Sequence, residues 1–121
     1  MTSQGSAYAR FQRALRIGRL SMVRAAALEL PRVDLHDALA ICLLIQREEG
    51  ERYERAVVRW LARMVLEVPG VGIDDLREAL VAFEALPHNP AGAHEALVGI
   101  CDRHGLVRVA HILRRVPPGS G

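Results

Sequence analysis

The sequence predicts an all-α chain of six or seven helices. They are expected as antiparallel hairpins in a compact bundle or a short α-solenoid-like stack. The apolar residues are mainly Ala, Leu and Val at helical spacing, without the alternation of strands. Gly and Pro breaks punctuate the pattern. One long stretch, residues 51–68, shows an apolar stripe on a charged helix. At about 100° per residue, Tyr53, Ala56, Val57, Trp60, Leu61, Met64 and Val68 share one face. Arg52, Arg55, Arg59 and Arg63 form a stripe on the opposite side. The stretch holds the chain's single Trp, and large rings bury the most area, so the core is expected to form around Trp60.

Taken in order, residues 1–6 are polar and expected to be disordered. A first helix over about residues 7–17 offers Phe11, Ala14, Leu15 and Ile17 to the core, and Gly18 can supply a left-handed stop. A second, over about 20–30, ends before Pro31, which cannot continue it. Asp34 is a good N-cap for a third helix over about 35–47, apolar nearly all round and so expected mid-fold. The short link Glu48-Glu49-Gly50 makes the 51–68 helix its antiparallel neighbour. Pro69, Gly70 and Gly72 make the clearest break, after which Asp74 is expected to cap a fifth helix over about 75–86. Asn89 caps a sixth over about 91–103, with Pro90 at its first position where a missing N–H costs nothing. Gly105 turns the chain into a seventh helix over about 106–115. Residues 7–116 then form one domain around one core, and residues 117–121 are a disordered tail.

Half of the residues are hydrophobic and a quarter charged, the balance of a soluble globular protein. A net charge of +2 does not by itself imply a nucleic-acid partner. All 16 basic residues are Arg, which together with the Ala, Gly, Val and Leu usage suggests a GC-rich bacterial genome. Cys42 and Cys101 each sit in an apolar helical pattern and read as buried small hydrophobes. The N-terminus has no signal-peptide core, and no apolar run approaches the ~20 residues a bilayer requires. The expected location is cytoplasmic, with no membrane partner.

Gly18-Arg19-Leu20-Ser21-Met22-Val23 and Gly105-Leu106-Val107-Arg108-Val109-Ala110 resemble the helix-Gly-helix turn of tetratricopeptide repeats. The resemblance covers those turns only and implies helical hairpins. There Gly closes the turn, Leu20 or Val107 packs two places on, and Val23 or Ala110 meets the partner helix. Ala14 and Gly18 also resemble a DNA-binding helix-turn-helix, but Arg24 stands where that motif needs an apolar residue. As a whole the chain resembles uncharacterised small all-helical proteins of GC-rich bacteria, a likeness that implies no activity. Leu30 to Cys42 echoes Leu86 to Cys101 as Leu-Pro, loop and capped helix, a pattern an ancestral duplication would leave.

Chemistry-bearing residues are sparse. His94, Cys101, His104 and His111 invite a zinc reading, but Cys101-x-x-His104 lacks a partner cysteine and His94 lies about 10 Å along the helix from Cys101. His36-Asp37 and His94-Glu95 are adjacent helix residues whose side chains diverge by about 100°, so neither pair is expected to act as a base and its orienter. No phosphate loop, nucleophile elbow or paired-carboxylate motif is present in the sequence. The sequence therefore points to no enzyme, no cofactor and no metal.

What remains are the arginine stripes: Arg10, Arg13 and Arg16 on the first helix, and Arg52, Arg55, Arg59 and Arg63 on the fourth. Ion pairs Glu51–Arg55 and Glu48–Arg52 are expected to neutralise part of the second stripe. The first functional expectation is a non-enzymatic protein–protein interaction or regulatory module, with an unidentified protein partner or self-association. The second is a weak binder of phosphate or nucleic-acid backbone through the arginines.

Overall fold

A computed structural model describes residues 3–115 and shows seven helices. They are α1 (Ser3–Ile17), α2 (Leu20–Ala27), α3 (Leu35–Glu48), α4 (Tyr53–Glu67), α5 (Ile73–Ala85), α6 (Pro90–His104) and α7 (Val107–Arg115). A 3₁₀ turn, Gly50–Arg52, leads into α4. No strand occurs among the described residues.

The first helix starts earlier than the sequence pattern suggested. Residues 3–6, expected to be disordered, form its opening turn, where small polar residues can leave N–H groups to water. Met1, Thr2 and the expected tail 117–121 lie outside the described residues. Gly18 stops α1 in the left-handed region at φ 82°, its N–H reaching the Ala14 carbonyl at 2.9 Å. The second helix is shorter than expected. Pro31 disfavours helical geometry at Leu30, so the chain leaves α2 through i→i+3 bonds from Glu29 and Leu30.

Two expected capping bonds are not made as the sequence suggested. Asp34 does stand at the N-cap of α3, but its side chain makes no cap bond and pairs with Arg32 at 3.3 Å instead. Helix α5 begins at Ile73, and the carboxylate that caps it is Asp75, whose Oδ2 accepts the Gly72 N–H at 3.1 Å; Asp74 points outward. Asn89 behaves as expected, its Oδ1 accepting the Gly92 N–H ahead of Pro90.

Consecutive helices pack as hairpin partners: α1 with α2, α3 with α4, α5 with α6, and α6 with α7. Helix α7 also returns to α3, closing the arrangement into a bundle. The buried side chains form two clusters that meet on α3. Leu44 and Ile45 join Phe11, Ala14, Leu20 and Val23 of the first hairpin. Leu39, Cys42 and Leu43 join the larger cluster built from α4 to α7. Tyr53 and Ala56, partly buried, touch both clusters and make them continuous. An all-round apolar helix sits where two partners compete for it, as the α3 pattern implied.

Trp60 lies at the middle of the larger cluster and is 4% exposed. Its ring meets Phe83 edge-on at 5.7 Å, and its Nε1–H donates to the Leu35 carbonyl at 2.9 Å. A buried indole needs that acceptor. Tyr53 similarly donates its hydroxyl proton to the Phe83 carbonyl at 2.8 Å, tying α4 to α5. No helix among the described residues is long and apolar enough to cross a membrane.

Candidate functional site

The four fourth-helix arginines have different surroundings. Arg63 pairs with Glu67 one turn on, at 2.8 Å. Glu49 takes Arg24 in a two-pronged bond, at 3.1 and 2.9 Å, and also lies 3.6 Å from Arg52. Arg24 holds the Glu49 carboxyl below its ordinary range. The expected pairs Glu51–Arg55 and Glu48–Arg52 do not form among the described residues. Between Glu48 and Arg52 the chain leaves helical geometry at Glu49, φ −139°, ψ 63°, and Glu51 lies in the 3₁₀ turn that follows rather than in α4. Glu48 turns instead to the Leu20 N–H at 3.3 Å.

Arg55 and Arg59 are left without a carboxylate partner among the described residues. With Arg24 and Arg52 they surround an open cavity of about 480 Å³ between α2 and α4, floored by Ile45 and Ala56 and sharing its wall with Glu51. The α1 stripe takes no part in it. Arg10 is ion-paired with Glu29, and Arg13 and Arg16 are exposed on α1 without ion-pair partners among the described residues.

The side of α4 turned away from Trp60 carries more than arginine. Val58, Val65 and Leu66 are exposed there, Leu66 by 85%, and Ala62 lies exposed between them. At 100° per residue, these four fall with Arg55 and Arg59 inside a sector of about 120°. Helix α4 therefore presents one apolar face to the core and a second, arginine-flanked apolar face to solvent. Val58, Ala62, Val65 and Leu66 stand at i, i+4, i+7 and i+8, a helical spacing already present in the chain beside the arginines.

A polar cluster forms around Asp37, which is 2% exposed at the start of α3. The Tyr8 hydroxyl donates to Asp37 Oδ2 at 3.0 Å, and Gln12 Nε2 donates to Oδ1 at 3.1 Å. His36 Nε2 lies 3.5 Å from Oδ2. Burial, then the bond to Asp37, raises the Tyr8 pKa above that of a free phenol. The expected divergence of His36 and Asp37 is not complete, since their side chains approach to this 3.5 Å. The cluster borders an open cleft of about 790 Å³, walled on the far side by Arg108, His111 and Arg115 of α7.

The residues weighed for zinc lie in separate surroundings. Burial raises the Cys101 thiol to about 11, as it does Cys42. His104 Nε2 contacts Asp75 Oδ2 at 2.8 Å. His94 is buried, its Nδ1 has no hydrogen-bond partner, and burial lowers its pKa. His111 faces the α7 cleft.

No protein-family model, curated protein or solved structure matches this chain.

Proposed function

We propose that this chain is a non-enzymatic interaction module whose α4 takes an acidic amphipathic helix of a partner protein. One observation carries the reading: Arg55 and Arg59, without carboxylate partners among the described residues, stand beside the exposed Val58, Ala62, Val65 and Leu66 on one helix face. A helix laid along this face would cover apolar surface now in water, the usual meaning of a contiguous exposed apolar patch. Its carboxylates would meet planar guanidinium forks, which suit them in geometry as well as charge. Arg24 and Arg52 are already shared with Glu49, so the attraction is concentrated on Arg55 and Arg59.

A phosphate backbone fits the same surface less well. It would use the arginines but leave Val58, Val65 and Leu66 uncovered, and no aromatic side chain is interleaved to stack bases.

The test measures binding of a labelled amphipathic Glu/Leu helix peptide and of duplex DNA by fluorescence anisotropy across a salt series. Arg55→Glu with Arg59→Glu, and separately Val58→Ser with Leu66→Ser, should each weaken peptide binding at least about tenfold, ~1.4 kcal/mol. The helical circular dichroism should stay unchanged. DNA binding with a steep salt slope that ignores the Val58 and Leu66 replacements would establish the backbone reading instead.

A further inference from the structure

We infer that the cleft between the start of α3, the N-terminal half of α1 and α7 binds the oxyanion group of a small organic molecule. The carboxylates that line the cleft are already partnered. Both Asp37 oxygens are engaged, Oδ1 by Gln12 and Oδ2 by Tyr8, and Asp34 is paired with Arg32 at 3.3 Å. The groups left over are donors or potential donors. Arg108, His111 and Arg115 stand three and four residues apart, so they rise along one face of α7 into the cleft. Neither Arg108 nor Arg115 has a carboxylate partner among the described residues. His36 borders the cleft from the opposite wall, set against a fixed Asp37.

A volume of about 790 Å³ lies within the usual range for a small-molecule site of about 300–1,000 Å³. A phosphate or carboxylate group between the α7 guanidinium groups would receive charge-assisted bonds from both. Val107 and Ile112 offer apolar contact to the remainder of the molecule. Tyr8 and Gln12 pin Asp37 from another helix, and α7 packs directly against α3, so the two walls are joined through α3.

This site is separate from the α4 face, and its failure would leave that reading untouched. The experiment follows the ring resonances of His36 and His111 by NMR while inorganic phosphate, and in parallel malonate, is added to the full chain. Both resonances should shift saturably, with His88, exposed outside the cleft, as the reference. Arg108→Gln with Arg115→Gln should weaken binding at least about tenfold, whereas Arg55→Gln with Arg59→Gln should not change it. Saturation by phosphate alone assigns a phosphate-bearing ligand, and by malonate alone a carboxylate. A linear drift matching that of His88, or equal affinity after replacing Arg108 and Arg115, overturns the inference.

Discussion

His104 Nε2 lies 2.8 Å from Asp75 Oδ2, joining the last turn of α6 to the first turn of α5. Arg103 reaches Asp75 Oδ1 at 3.0 Å and Glu78 at 2.7 Å from the same helix end. Arg103 thus sits at a helix C-terminus and Asp75 at an N-terminus, each where the helix dipole favours it. The ring of His104 also lies 3.8 Å from where a side chain on Gly70 would begin.

The first prediction follows from Asp75. The Gly72 N–H, then Arg103 and His104, hold its carboxyl at about 2. Because the folded value is depressed, Asp75 contributes stability that is complete above the unfolded pKa of about 3.9. That contribution is lost as pH falls through about 2. Thermal unfolding of Asp75→Asn across this range should show a flatter acid limb than the parent protein. Parallel profiles would remove Asp75 from the acid response.

Trp60 gives the second. Trp60→Ala should cost about 3–5 kcal/mol, the range for large core truncations. It removes the edge contact with Phe83 and leaves the Leu35 carbonyl without its donor. Urea unfolding measures the loss, and a cost below about 1 kcal/mol would contradict the packing described.

For Asp37, the third prediction separates two effects. Asp37→Ala strands the donors of Tyr8 and Gln12 and should cost about 1–3 kcal/mol, whereas Tyr8→Phe should cost about 1 kcal/mol. A double-mutant cycle between the two positions should show that they are coupled. Strict additivity would mean that the 3.0 Å contact contributes nothing to stability.

His94 supplies the fourth. Burial lowers its pKa, so protonation favours the unfolded chain. Stability is complete above the unfolded value of about 6.5 and falls as the pH drops from there toward the folded value. His94→Leu removes both the titration and the unpartnered Nδ1. Its midpoint temperature should rise relative to the parent more at about pH 5 than at about pH 8. A constant difference would place the acid sensitivity elsewhere.

The all-α fold was legible because period and punctuation agreed. The face holding Trp60, the Asn89-Pro90 start of α6 and the stops at Gly18 and Gly105 could each be read from a few neighbouring residues. What escaped were features decided by distant partners. Nothing near Asp37 in the chain marks it as buried, because its donors lie 25 and 29 residues earlier on α1. Glu48 and Arg52 have pairing spacing only if the helix continues, and a single non-helical residue at Glu49 cancels it. The solvent-facing valines of α4 were visible as a pattern, yet an apolar residue on a helix announces burial, and only the bundle shows that no neighbour covers them.

The sharing of α3 between both clusters bears on how the chain opens. Most packing is between helices adjacent in sequence, so hairpins can form early with little loop-closure entropy. The return of α7 to α3 joins helices far apart in sequence, so this closure carries the largest loop-closure cost. Opening the α1–α2 hairpin strips Leu44 and Ile45 of their cover but leaves Leu39, Cys42 and Leu43 packed. Amide exchange should therefore be fastest in α1 and α2, while the α3 amides exchange only when the whole chain unfolds.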